Sequence, residues 1–180
     1  MSDNERQSGQ QKQRDYIAAI ALSGAAAALV FVSTLLSVPA GTGNLNMGDG
    51  MILLVAYVIG PIAFFPAAIG AALCDLALGY TVYIPATFFI KGLLGLSAGL
   101  IMLKGDPSIP RKTLAFVIAE TIMAGGYFFF EWLLYGLNTA VGQLPANLIQ
   151  GAVAIIIAFV LTLALGPVRR RIRMSLFGNN

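Results

Sequence analysis

Histidine is absent from this chain, and cysteine occurs once, at Cys74, inside an apolar run. Without histidine there is no Ser-His or Cys-His nucleophile pair, none of the commonest zinc ligand, and no side chain that titrates near neutrality. A single cysteine excludes a disulfide framework and a thiolate metal site. Charge is scarce too: Asp, Glu, Lys and Arg make up 11% of the 180 residues, against 58% hydrophobic residues. A soluble domain of this size has no means of hiding so much apolar surface. The formal net charge is +3, but the basic residues flank apolar runs and form no stripe interleaved with aromatics, which argues against nucleic acid.

What is present is a strict placement of positive charge. All Lys and Arg residues except Lys91 fall in three places. Arg6, Lys12 and Arg14 precede the first apolar run, Lys104, Arg111 and Lys112 sit mid-chain, and Arg169, Arg170, Arg171 and Arg173 follow the last run. Positive segments stay on the cytoplasmic side of a membrane, so the pattern predicts a polytopic protein with both ends inside. Prolines at 39, 61, 66, 85, 107, 110, 145 and 167 serve as breaks. They leave apolar segments at 16–36, 50–62, 64–79, 85–103, 113–135 and 146–167. Segments two and three are short, but only two crossings there keep all three basic groups on one side, and Gly60-Pro61 supplies the turn. The expected fold is therefore an all-α membrane protein, a six-transmembrane-helix bundle over 16–168. A disordered cytoplasmic tail is expected at 1–15 and a basic cytoplasmic tail at 169–180. Segment 16–36 spans about 30 Å as a helix, too long for a signal-peptide core. Loops at 37–49, 80–84 and 136–145 then face outward.

Ionisable groups at membrane depth are costly and mark function. Asp49, Asp75, Lys91, Glu120 and Glu131 are such groups, and most of them fall in the outer half of the predicted bundle. Asp75 and Lys91 lie at comparable depth on consecutive helices, which predicts either a packing ion pair or a Lys91 oriented by Asp75 toward a ligand. Glu120, Tyr127 and Glu131 share one stripe of segment five, and Asn147 and Gln150 one stripe of segment six. The two amides suit either interhelical hydrogen bonds or the edge of a heteroaromatic ring. Tyr80, Tyr83, Trp132 and Tyr135 are expected in the interfacial aromatic belt, with Tyr127 deeper. On helix one, Ala21, Gly24, Ala25 and Ala28 have small-xxx-small spacing, which allows close approach of a helix of this bundle or of a partner. The glycine- and asparagine-rich loop 37–49 suits a lid.

The runs Asn44-Leu-Asn-Met-Gly-Asp49, Asp75-Leu-Ala-Leu-Gly-Tyr80, Ile90-Lys-Gly-Leu-Leu-Gly95 and Asn147-Leu-Ile-Gln-Gly151 occur in this order. With six short apolar helices, the chain resembles an S component of an energy-coupling factor (ECF) transporter, of the riboflavin, pyridoxine or hydroxymethylpyrimidine type. The resemblance implies a membrane subunit that captures a B vitamin or its precursor from outside a bacterial or archaeal cell. It implies as partners a transmembrane coupling protein and two cytosolic ATPase subunits, besides membrane lipids. No cofactor or metal is expected. No G-x-x-x-x-G-K-[ST] loop occurs, consistent with a non-enzymatic subunit without its own ATPase. The expected substrate-binding residues are Asn46, Asp49, Lys91, Tyr127, Glu131, Asn147 and Gln150, with Asp75 in an ion pair or behind them. Ala21, Gly24, Ala25 and Ala28 are expected at the coupling-protein interface.

Other classes fit less well. A stand-alone secondary carrier would show internal repeats and ion-coupling sites, and no convincing repeat occurs. An intramembrane enzyme needs a nucleophile with its base or a metal cluster. A non-transporting scaffold has no use for carboxylates and amides facing one cavity.

Overall fold

The computed structural model describes residues 3–40 and 43–177. The elements are α1 (Asp3–Leu35), a hairpin of β1 (Ser37–Ala40) and β2 (Gly43–Asn46), α2 (Gly48–Ile59), α3 (Phe64–Leu78), α4 (Ile84–Ile101), α5 (Ile109–Tyr135), α6 (Leu137–Ala164) and α7 (Gly166–Phe177). Among the described residues, five stretches are long and apolar enough to cross a membrane: Tyr16–Leu35, Gly48–Leu78, Ile84–Ile101, Ile109–Tyr135 and Leu137–Ala164.

The second stretch contains a reversal. Asp49 meets Lys91 and Gly60 lies against Gly99, so α2 runs alongside α4 in the same direction. Ala63 lies against Gly95 while Asp75 bonds Thr87, so α3 runs the opposite way. The chain turns through a 3-10 segment, Gly60–Ala63, that Gly60 enters at φ 71°, in the left-handed region that suits glycine. Gly99 is small for a related reason: a Cβ there would collide with the Gly60 carbonyl.

α2 is the centre of the bundle. Ile52, Leu53, Ala56 and Tyr57 are buried among Val30 of α1, Leu94, Ala98 and Met102 of α4, Phe116 and Met123 of α5, and Ala158 of α6. α3 packs chiefly on α1 and α4, and α5 lies between α4 and α6. Small residues set the spacing, as at Gly70, where a Cβ would stand 2.5 Å from the Ala27 carbonyl oxygen. One end of the bundle carries the β-hairpin and the α3–α4 and α5–α6 connections. The other carries the Gly60–Ala63 turn, the α4–α5 loop and α7.

Three expectations need correction. The segment 1–15, expected to be disordered, continues α1 back to Asp3. Gln, Glu, Lys and Arg there are good helix formers, and extending a formed helix costs little. The segment expected as a basic tail, 169–180, holds most of α7, which is compatible with that reading. The loop at 136–145 shrinks to Gly136, and α6 begins at Leu137 and runs through Pro145. Pro145 is exposed and lies in the third turn of α6, a position where a proline bends a helix without having to end it. The 37–49 loop is an antiparallel hairpin pairing Ser37 with Asn46 and Ala40 with Gly43.

Candidate functional site

Beneath the hairpin is a cavity of about 40 Å³, room for a few waters. It is lined by Thr34 of α1, Asn46 of β2, Ala71 and Asp75 of α3, Tyr80 and Tyr83 of the α3–α4 turn, Thr87 and Lys91 of α4, Tyr127 and Glu131 of α5, and Gln143, Asn147 and Gln150 of α6. Seven of the eight residues expected at or behind the substrate line this one cavity. The eighth, Asp49, lies under it.

Asp49 opens α2 at the foot of the cavity and is fully buried (0% exposed). One carboxylate oxygen accepts from Lys91 Nζ at 2.5 Å, and the other accepts from Gln150 Nε2 at 2.6 Å. Gln150 Oε1 in turn accepts the backbone N–H of Asn46 at 2.9 Å, fastening the hairpin to α6. The Asn46 side chain accepts the Gly48 N–H at 3.0 Å and so closes the turn into α2. Four elements thus converge on one ion pair. Lys91 also lies over the Tyr127 ring, 5.2 Å from its centroid.

The expected partner of Lys91 was Asp75, and the structure gives Asp49 instead. Depth along the helices put Asp75 and Lys91 level, but α2 stands between α4 and α6 and presents Asp49 directly to the ammonium. Asp75 bonds Thr87, and its Oδ2 is buried with no hydrogen-bond partner among the described residues. Asn147 Nδ2 is in the same position. Glu131 accepts from Tyr83 Oη at 3.3 Å, and Tyr127 shares a 2.9 Å hydrogen bond with Thr87. Glu120 does not line the cavity. It lies against Gly151, and neither carboxyl oxygen has a partner among the described residues.

The aromatic belt divides. Trp132 and Tyr135 are exposed, as a place in the belt requires, but Tyr83 is buried, bonds Glu131 and lines the cavity beside Tyr80. Sequence reasoning also missed Thr87 and Gln143. Thr87 lies one helical turn before Lys91 and shares its face. Gln143 lies one turn before Asn147, a signal hidden by treating Pro145 as a helix break.

A carboxylate oxygen, an amide N–H and a wall of tyrosines make a site for a polar ring, with hydrogen bonds at its edge and apolar contact on its faces. Among the described residues, no three His, Cys, Asp or Glu side chains gather to hold a metal. On the outside of the bundle, Ala21, Gly24, Ala25 and Ala28 of α1 are all exposed. α1 packs on α3 at Ala27 and Val30, and Gly24 and Ala28 line an open apolar groove that α1 forms with Leu73, Leu76 and Ala77 of α3.

The chain is 35% identical over 147 residues to a Pyrococcus woesei protein described only as an uncharacterized protein in a gap 3′ region, covering 77% of this chain and 98% of that one. It is 31% identical over 136 residues to the thiamine precursor transporter HmpT of Lactococcus lactis subsp. cremoris, covering 74% of this chain and 75% of that one. Residues 15–166 match the model of the ECF-type riboflavin transporter S component. That match takes in both the buried Asp49–Lys91–Gln150 cluster and the tyrosine-walled cavity above it, and on it this multi-pass membrane protein belongs to the ECF-type riboflavin transporter S component family.

Proposed function

We propose that the chain captures a B vitamin or vitamin precursor at the outer face of the cell membrane, for uptake driven by a transmembrane coupling protein and two cytosolic ATPases. In this reading α1 to α6 make six crossings, with α2 and α3 as an antiparallel pair and both termini cytoplasmic. Charge supports that orientation. Lys104, Arg111, Lys112 and Arg169 to Arg171 share the end that bears the Gly60–Ala63 turn, and positive segments stay inside. The cavity and its hairpin then face outward.

The observation that carries the substrate reading is the pair Asp75 Oδ2 and Asn147 Nδ2, an acceptor and a donor, both buried without partners among the described residues at one tyrosine-walled cavity. An amino-substituted nitrogen heterocycle answers both, donating from its amino group to Asp75 and accepting at a ring nitrogen from Asn147. The hydroxymethylpyrimidine precursor of thiamine has such an edge, and the Lactococcus relative carries the name of a thiamine precursor transporter. A cavity of about 40 Å³ must widen for any heterocycle, and a single ring asks less of it than a flavin. Riboflavin is the second reading, favoured by the description of the matching family. The exposed Ala21, Gly24, Ala25 and Ala28 support α1 as the face that meets the coupling protein, since small residues admit a second backbone closely.

Calorimetry and thermal-shift measurements on the purified chain test the substrate, with hydroxymethylpyrimidine, thiamine, pyridoxine, pyridoxamine and riboflavin as the panel. Submicromolar binding of hydroxymethylpyrimidine is expected. Tight binding of riboflavin alone selects the second reading, and a well-folded sample that binds none of the five refutes both.

A further inference from the structure

The end of the bundle opposite the cavity holds a second buried polar cluster, none of whose members lines that cavity. Its centre is Tyr57, near the end of α2. The Arg169 guanidinium from α7 lies 4.5 Å from the ring centroid, and the Lys112 ammonium from α5 lies 4.7 Å from it. Arg169 donates from Nη1 to Asp106 Oδ1 at 3.1 Å and from Nη2 to the Met102 carbonyl at 2.9 Å. Tyr57 donates to the same Asp106 oxygen at 3.4 Å.

Charge and hydrogen bonding are both incomplete here. Two buried cations, 2% and 7% exposed, share one carboxylate, whose side chain is 63% exposed. Arg169 Nε is buried with no partner among the described residues, and the Lys112 ammonium lies over the Tyr57 ring, between the attraction of Asp106 and the repulsion of Arg169. A ring face attracts cations but brings no net charge, and buried positive charge short of a counterion is costly. Among the described residues no further counterion restores the balance. Arg111 is directed to the carbonyls of Ile101 and Lys104, and Lys104, Arg170 and Arg171 are exposed cations.

We propose that this cluster binds a phosphate carried by an anionic lipid headgroup, with Arg169 Nε and the Lys112 ammonium as its inner donors and Arg170 and Arg171 adding charge from the exposed side of α7. Position selects the lipid as the source. The apolar stretches end at Ile101 and Ala164 and a third begins at Ile109, which places the cluster at the boundary where headgroups lie. Basic pockets at that level bind anionic headgroups. A phosphate held there ties α5 to α7 and keeps α7 docked beneath α2.

Native mass spectrometry of the full chain released from detergent tests this, with phosphatidylglycerol, phosphatidylcholine and inorganic phosphate as separate probes. Wild type is expected to retain one phosphatidylglycerol in preference to phosphatidylcholine. Lys112→Gln is expected to lower that retention about tenfold, the scale of one charge-assisted hydrogen bond. Arg169 also anchors α7 through Asp106 and Met102, so Lys112→Gln is the deciding variant, its fold checked by circular dichroism and thermal midpoint. Arg170→Gln with Arg171→Gln should weaken retention without abolishing it. Equal retention of the two lipids, or undiminished phosphatidylglycerol on Lys112→Gln, overturns the site. Protection by inorganic phosphate with no advantage for phosphatidylglycerol overturns the lipid assignment.

Discussion

Replacing Lys91 by methionine keeps most of the side chain's volume and removes its charge, leaving the Asp49 carboxylate fully buried with only the Gln150 amide to face it. Stripping one partner from a buried ion pair costs about 3–5 kcal/mol, because the remaining charge keeps its desolvation penalty and loses its compensation. Removing both charges together is far milder. Lys91→Met combined with Asp49→Asn leaves a neutral amide whose carbonyl still accepts from Gln150. The double variant should lie within about 1–2 kcal/mol of wild type, the remainder being weakened hydrogen bonds. Unfolding in mixed micelles, followed through the fluorescence of Trp132, measures all four corners of the cycle. Ligand calorimetry on the same samples separates stability from recognition: the double variant should refold well yet bind poorly. A Lys91→Met variant destabilised by less than about 1 kcal/mol would refute the reasoning. So would a double variant no more stable than the single one.

Asn147→Ala removes an Nδ2 that has no partner among the described residues, so the thermal midpoint should hold while ligand affinity falls about tenfold by calorimetry. Gly99→Ala forces a methyl into the Gly60 carbonyl and should cost about 1–3 kcal/mol in micelle unfolding, as overpacking does. Ala25→Trp, on the exposed side of α1, should bind ligand normally yet fail to co-purify with the coupling protein. A variant that assembles and transports normally removes that interface.

Much of the site was legible before the fold. Depth along each helix was enough to bring Asp75, Lys91, Tyr127, Glu131, Asn147 and Gln150 to one level, because rise per residue is nearly constant in a helix. Partnership was not, since it depends on which helix stands beside which. Asp49 reaches Lys91 only because α2 is inserted between α4 and α6, an arrangement no periodicity encodes. Gln143 was lost to an over-strict rule about proline. The Tyr57, Asp106, Lys112 and Arg169 cluster left no linear trace either, as its members come from α2, a loop, α5 and α7. Basic residues taken for topology signals alone turned out to include two buried ones.

At 12 residues, α2 is about 18 Å long, against roughly 30 Å of hydrocarbon in a typical bilayer. A lipid-facing helix that short would leave backbone groups stranded, but protein encloses α2 almost completely, so the deficit costs nothing there. Headroom is what it creates. The missing length lies above Gly48, where the cavity and the hairpin over it now sit, so the depth of the pocket is set by where one central rod stops. Adding a single turn to the start of α2 would raise that floor by about 5.4 Å and fill the chamber from below. The reach of the site is thus a matter of helix length, adjustable without changing a single residue that lines it.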